Sequence, residues 1–357
     1  MKRYLIKKIG FIMCMIYFLL FLYGFFEVHN VKSLNIKPLT LNNTSLGVNV
    51  SDKISVFMKE QKHRQSIMHA ACKQIYSHPI FWNSWLKNIF VDTHHNLTFC
   101  PVYKAASTSW FILLLQLNGK WNDRDLPRLL QIIKKTFLEI VDFQNPDLSK
   151  SSNRFIIVRH PFERLLSCYR DKYEGAKNGY YYAKYGEKMV DLYRIIPEAQ
   201  NNLKTTLIRT ANTYLKSGAI RTDIKLPHTL QGNPYASPFG PTFPEFTRFV
   251  LESTEEDNHW KPIYKLCYLC RIDYNFILKF ENLYSESQSF IDHLNYSSII
   301  KPRWENPTKG GNTGEDRTCD YFKQLSKDTV RGLIEKYRKD LAIFQYSPDK
   351  YLECADK

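Results

Sequence analysis

Two stretches of this chain combine residue types that suit the capture of a tetrahedral anion. The first is Cys100-Pro101-Val102-Tyr103-Lys104-Ala105-Ala106-Ser107-Thr108-Ser109-Trp110. A strand that ends in one Lys, small side chains and three hydroxyls, and then opens into a helix, can wrap backbone N–H groups around such an anion. It is not a Walker A loop: G-x-x-x-x-G-K-[ST] is absent, and the Lys precedes the hydroxyls. No Mg²⁺ site is implied, which counts against a kinase. The second stretch runs from Arg159 to Lys172, as R-H-P-F-E-R-L-L-S-C-Y-R-D-K. Arg159 stands where an apolar run ends, and its planar guanidinium suits a terminal phosphate better than a Lys would. Ser167 follows eight residues later, where a returning helix can bring its hydroxyl to the same anion. Glu163, Arg170, Asp171 and Lys172 read as surface ion pairs of an amphipathic helix.

Transfer chemistry at such a site also needs a proton acceptor. His259 is the first candidate, because imidazole titrates near neutral pH and Asp257 is close enough in sequence to orient it. His160 and Glu163, beside the second stretch, are alternatives. Cys267-x-x-Cys270 lacks a partner C-x-x-C or H-x-x-x-H, so disulfides are expected there rather than zinc. Cys168 lies among apolar neighbours and reads as a free thiol. Cys72, Cys100, Cys267, Cys270, Cys319 and Cys354 remain as an even set whose pairing the sequence leaves open.

These residues need elements to hold them. Leu97, Phe99 and Val102 suit a short strand, Lys104 to Ser109 a loop, and Trp110 to Leu117 a buried helix. The order then repeats: Phe155 to Val158 reads as a buried strand, and Pro161 begins a helix running through Leu165, Leu166, Tyr169 and Tyr173. Phe276 to Phe280 suits a third strand, ending at Glu281. Helical patterns over Asp125 to Ile140 and Thr329 to Phe344 lead to an α/β class with a central parallel sheet flanked by helices. The Gly-, Pro- and Ser-rich segment from Gly218 to Pro244, with His228, Tyr235 and Phe239, reads as a long ordered loop of the kind that covers binding sites.

The N-terminus speaks for location. Ile9 to Phe26 forms 18 uncharged, mostly apolar residues, about 27 Å of helix and enough to span a bilayer. Basic residues precede it and Glu27 follows, so the N-terminus is expected in the cytoplasm and the rest across the membrane. No small-x-small cleavage site follows the run. The expected organisation is a cytoplasmic tail (1–8), a transmembrane signal-anchor (9–26), a polar lumenal stem (27–65) and a lumenal catalytic domain (66–357). Sequons at Asn42, Asn43, Asn49, Asn96 and Asn295 agree with translocation. A composition 44 % hydrophobic and 24 % charged excludes general disorder, and the net charge of +15 favours a polyanionic partner. Beyond a membrane, that partner is an acidic glycan rather than nucleic acid.

Taken together, the two stretches resemble the phosphosulfate- and 3′-phosphate-binding signatures of the Golgi carbohydrate sulfotransferase family, which includes chondroitin and dermatan 4-O-sulfotransferases and the HNK-1 sulfotransferase. The second stretch is the more specific match; the first keeps K-x-x-x-T-x-W, with Tyr103 in place of the usual Pro. The similarity continues through His259-Trp260, Cys267-x-x-Cys270, Tyr274, Phe276 to Glu281, Tyr337, Asp340 and Phe344. It implies a P-loop-like sulfotransferase fold, 3′-phosphoadenylyl sulfate as donor, no metal, and a single-pass type II Golgi membrane protein. The implied acceptor is a glycan hydroxyl, first of all the 4-O of GalNAc in chondroitin or dermatan. By the same resemblance Lys104 contacts the phosphosulfate and doubles as a catalytic group. Thr108, with the amides of Ala105, Ala106, Ser107, Ser109 and Trp110, holds the 5′-phosphate side, and Arg159 and Ser167 bind the 3′-phosphate. The alternative is a catalytically silent lumenal protein that binds acidic glycan and only keeps the fold.

Overall fold

The computed structural model describes residues 50–75, 86–140, 153–174, 179–194, 240–303 and 313–355. The apolar run 9–26, most of the polar segment after it and His228, Tyr235 and Phe239 lie outside the described residues. Among those described, no helix is long and apolar enough to cross a membrane.

Five strands form one sheet: β1 (Phe90–Asp92), β2 (Leu97–Cys100), β3 (Leu138–Glu139), β4 (Asn153–Val158) and β5 (Phe276–Lys279), in the order β3-β1-β2-β4-β5. β2, β4 and β5 are parallel, while β1 pairs antiparallel with both β2 and β3. The sheet is therefore mixed, not wholly parallel as expected, and the parallel half is the one whose strand ends carry the candidate residues. All of β2 and the last four residues of β4 are buried, which explains the unbroken apolar run Phe155 to Val158 and a β2 whose one polar residue is Thr98.

Phe99, Phe155 and Phe276 are in register across the three parallel strands. Phe155 stacks on Phe99 at 4.6 Å and meets Trp110 and Phe290 at 4.9 and 5.0 Å. Those last two rings belong to helices α2 (Ser107–Leu117) and α5 (Leu283–His293), which cover this face; helix α1 (Val50–Ile75) adds Phe57, stacked on Phe276. A second core joins α3 (Pro161–Lys172), α4 (Phe243–Glu252), α6 (Glu315–Phe322), α7 (Lys327–Phe344) and α8 (Asp349–Cys354) through Phe162, Tyr169, Phe246, Phe322 and Tyr337.

Helix α1 begins inside the segment 27–65 expected to be a stem, and it is part of the folded body. Its residues Phe57, Gln61, Arg64 and Met68 are buried. β5 is an edge strand, and α1 satisfies its outer backbone groups: Ile277 N–H donates to Gln61 Oε1 at 2.7 Å, and Arg64 Nη1 donates to the Ile277 carbonyl at 2.6 Å. Arg64 also makes a bidentate pair with Glu286, at 2.6 and 2.9 Å.

The helix expected over Asp125 to Ile140 is broken into a 3-10 turn (Asp123–Arg128), a short helix (Leu129–Thr136) and β3. Pro127 has no N–H for a continuous ladder, and Phe137 turns extended so that Leu138 and Glu139 can pair with β1. The loop expected over Gly218 to Pro244 is described only at its end. There Thr242 accepts from Glu245 N–H while the Glu245 carboxylate accepts from Thr242 N–H, a capping box that already places Phe243 and Pro244 in α4.

Three disulfides pair Cys72 with Cys270, Cys100 with Cys267, and Cys319 with Cys354. The two cysteines of C-x-x-C thus tie α1 and the end of β2 to one turn. Cys168 is buried and free, and burial pushes its thiol up to about 12. Among the described residues no cluster of three or more His, Cys, Asp or Glu could hold a metal ion.

Candidate active site

Ligands of open α/β sheets gather beyond the carboxyl ends of parallel strands. Here β2 ends into the Lys104 loop, β4 ends at Arg159, and β5 ends at Phe280 and Glu281. In the first loop Lys104 and Ala106 both adopt left-handed backbone, at φ 70° and 58°. For side chains other than glycine this costs about 1–2 kcal/mol each, so the loop is held by its surroundings. Ala106 is the N-cap of α2 and offers no side-chain cap, which leaves the first amides of that helix to other acceptors. Ser107 and Thr108 are half-buried at this end. Ala105, Ser109 and Trp110 are buried, and Trp110 belongs to the core under the sheet, so only its backbone bears on the loop.

The Arg159 guanidinium, 3 % exposed, donates from Nη1 to the Lys104 carbonyl at 3.1 Å and from Nη2 to the Thr313 carbonyl. It lies 4.3 Å over the Phe280 ring, with Nε 3.5 Å from Glu163 Oε2. The residues expected at the ends of two strands are thereby brought together. Burial is the main influence on Arg159 and lowers its pKa, opposed by the Glu163 and Glu281 carboxylates. Ser167 is buried on α3, and among the described residues its hydroxyl makes no hydrogen bond.

The charged residues of α3 are only in part the surface ion pairs expected: Asp171 and Lys172 pair at a half-buried position. Glu163 and Arg170 are buried. Asp171 Oδ2 receives Lys104 Nζ at 3.1 Å and Lys172 Nζ at 3.0 Å. Burial would raise the Asp171 pKa, but the two lysines overcome it and hold the carboxylate below its ordinary value.

His259 faces this loop from another direction. Its ring lies 4.7 Å from that of Tyr103, the residue standing where the family signature has Pro. Nδ1 is 2.6 Å from Asp257 Oδ1 and 3.2 Å from the Tyr181 hydroxyl. Burial would raise Asp257, yet the hydrogen bonds from the His259 ring and backbone N–H win and hold it at about 2. An ionised Asp257 makes Nδ1 the proton-bearing nitrogen and leaves the lone pair on Nε2, which makes no hydrogen bond among the described residues. Burial lowers the His259 pKa, while Asp257 raises it.

Arg164 joins the two halves, a role its sequence position does not announce. Only 1 % exposed, it donates to the carbonyls of Tyr103, Lys261 and Asn258 at 2.9, 2.8 and 2.7 Å. A charged residue flanked by Phe162, Leu165 and Leu166 on a buried helix is the one signal that could have found it. The alternative bases are committed elsewhere. His160 caps α3, accepting at Nδ1 from Phe162 N–H at 3.2 Å with Nε2 3.0 Å from the Ser347 carbonyl, and burial lowers it to about 4. Glu163 accepts from the Tyr351 hydroxyl, and burial raises its pKa.

Comparison with known proteins adds to this geometry. Residues 87–347 match the family model described as the Sulfotransferase family. The chain is 28 % identical to carbohydrate sulfotransferase 11 of Mus musculus over 75 % of this chain and 69 % of that protein. It is 25 % identical to carbohydrate sulfotransferase 9 of Homo sapiens over 80 % of this chain and 60 % of that protein. Carbohydrate sulfotransferase 8 of Homo sapiens is also 25 % identical, over 81 % and 63 %. No solved structure matches the chain significantly.

Proposed function

The chain belongs to the sulfotransferase family, and on that premise we propose that it moves a sulfuryl group from 3′-phosphoadenylyl sulfate to a glycan hydroxyl, the 4-O of GalNAc in chondroitin or dermatan. The observation that carries this reading is the 3.1 Å contact between the Arg159 guanidinium and the Lys104 carbonyl, which supports a single cleft bearing both cations. The residues present suit the donor. The uncapped start of α2 and Thr108 would take its 5′-phosphate, Lys104 its phosphosulfate, and Arg159 with the buried Ser167 its 3′-phosphate.

The donor, when bound, supplies an activated sulfuryl group. Lys104 then stabilises negative charge developing on the departing phosphate oxygen, a charge fixed in place before the reaction. Asp171 holds that ammonium in reach of the loop. His259, its Nδ1 proton held by Asp257, accepts the acceptor hydroxyl's proton at Nε2. The +15 net charge suits a polyanionic acceptor. The apolar run 9–26 and the sequons support a type II Golgi membrane protein, and exposed turns at Asn96 and Asn295 are open to glycosylation.

The test is incubation of the full chain with labelled donor and a panel of desulfated glycosaminoglycans, followed by disaccharide analysis. Label at the GalNAc 4-position is expected. Label at another sugar or position would replace the acceptor assignment, and nucleotide binding without transfer would make the chain a silent glycan binder.

A further inference from the structure

The turn that carries Asp257 and His259 runs on into a surface of lysines. Lys261 N–H donates to the Asp257 carbonyl at 2.8 Å, so its side chain leaves the same turn as the proposed base. Lys261 Nζ lies 3.8 Å from Glu256 Oε2, and Lys265 Nζ lies 3.0 Å from Glu256 Oε1. Lys336 and Lys339 stand at i and i+3 on α7 and so share a face of that helix. Asp340 locks the two elements together, its buried carboxylate accepting from the N–H groups of Ile263 and Tyr264 at 2.6 and 2.9 Å. Lys339 Nζ in turn lies 4.8 Å over the Tyr264 ring. All four lysines are half-buried. Burial lowers the pKa of Lys336 against the pull of Glu256, and Lys265 lowers it further; burial, Arg338 and Lys265 lower that of Lys339. One carboxylate, Glu256, thus bears on three ammonium groups, whereas ion pairs around them match one to one: Arg338 with Glu335, Arg331 with Asp328, Lys188 with Glu255. Cations held side by side on locked elements repel one another, and an anion laid across them from outside relieves that repulsion.

We propose that Lys261, Lys265, Lys336 and Lys339 form an exosite outside the reaction cleft, which holds the acidic glycan chain beyond the reacting sugar while one of its hydroxyls is presented to His259. This rests on the glycan acceptor proposed above. The acidic groups of a linear glycan repeat along the chain, and the lysines extend from the His259 turn onto α7 in a row that such a chain can follow. An ammonium acts as a point charge without the fixed fork of a guanidinium, so the row reads charge and length rather than one particular sugar. A long acceptor therefore gains from contacts that a short one cannot reach.

The test compares sulfate transfer by the full chain to desulfated chondroitin polymer, which keeps its uronate carboxylates, and to the tetrasaccharide cut from it. The wild type should show a KM for the polymer, per disaccharide, about tenfold or more below that for the tetrasaccharide, the low end of what a charged surface adds to capture, and the advantage should fade as salt rises. Lys265→Gln combined with Lys336→Gln should remove most of that advantage through KM; a merely structural role would instead lower kcat on both acceptors together with the melting temperature. Retention on immobilised chondroitin reads the same surface without turnover: the double variant should elute at lower salt, and Lys104→Met with the wild type. Equal KM values for both acceptors in the wild type, or a folded double variant with the wild-type ratio, overturns the exosite alone. Unchanged chondroitin elution of the double variant with lost binding to phosphatidylserine vesicles overturns the glycan and assigns the surface to a membrane. Transfer to no acceptor overturns the proposed function, and the elution shift then decides the exosite by itself.

Discussion

Replacing Asp257 by Asn tests the proposed base most directly, because it leaves the His259 ring in place and changes only what that ring is told to do. In the wild type the ionised carboxylate, 2.6 Å away, takes the Nδ1 proton and frees Nε2 as acceptor. The Tyr181 hydroxyl is 3.2 Å from the same Nδ1. Without the carboxylate that hydroxyl becomes the donor to Nδ1, which favours the tautomer with its proton on Nε2 and closes the position that must accept one. General-base catalysis contributes about 10²–10⁴-fold, so Asp257→Asn should lower kcat by about a hundredfold or more, close to His259→Ala, while the KM for donor stays near wild type. The pH profile gives an independent sign. The base must be neutral, and burial sets its pKa below the ordinary imidazole range, so activity should hold through neutrality and fall as pH drops through that pKa. Asp257 raises the His259 pKa, whereas Lys172 and Arg164 lower it. Its removal must therefore move the acid limb to lower pH. Adding Tyr181→Phe removes the competing donor and should restore part of kcat. Initial rates of labelled sulfate transfer over pH about 4.5 to 8.5 bracket an imidazole titration. Wild-type kcat in Asp257→Asn, an acid limb that moves upward, or no rescue by Tyr181→Phe would refute the assignment.

Lys104→Met should reduce turnover by about a hundredfold or more, the usual cost of one preorganised donor to developing charge, with an unchanged melting temperature showing that the fold survives. Arg64→Met leaves the buried Glu286 without its ion-pair partner, only the Lys279 N–H still donating to it, a loss of about 3 kcal/mol, read as a lowered urea midpoint; a chain starting at residue 66 also lacks Phe57 and Gln61 and should not give a cooperative melt. Replacing Cys72 and Cys270 by Ser should cost less than their separation of 198 residues suggests. With Cys100–Cys267 intact the released loop is far shorter, and the closure model gives about 4 kcal/mol. Cys168 should resist alkylation in the native protein and react only after unfolding, as mass spectrometry of iodoacetamide-treated chain would record.

The legible part of the molecule and the hidden part differ in where polar residues get their partners. Lys104 and Arg159 stand where buried apolar strands stop, and a cation at such a boundary has no packing role to explain it. Asp257 and His259 are two residues apart, so their pairing could be read from spacing alone. Helix α1 escaped notice for the opposite reason. Its inner face, Phe57-Gln61-Arg64-Met68, has perfect helical spacing, but two of the four residues are polar and dilute the hydrophobic signal. Their partners, Ile277 and Glu286, lie more than two hundred residues away. Arg170 reads in the sequence as an ordinary solvated helix residue because nothing local marks the distant hydroxyl that receives it, and the apolar flanks of Arg164 do not say which distant carbonyls it reaches. Buried polar groups must be satisfied somewhere, and in this chain the long-range solutions converge on the strand ends. Arg164 fixes the Lys104 loop against the His259 turn, while Arg170 and Arg159 meet at Thr313. The buried arginines of α3 therefore connect fold to chemistry: each spans elements that no local pattern joins, and each bears on the placement of a group the reaction needs.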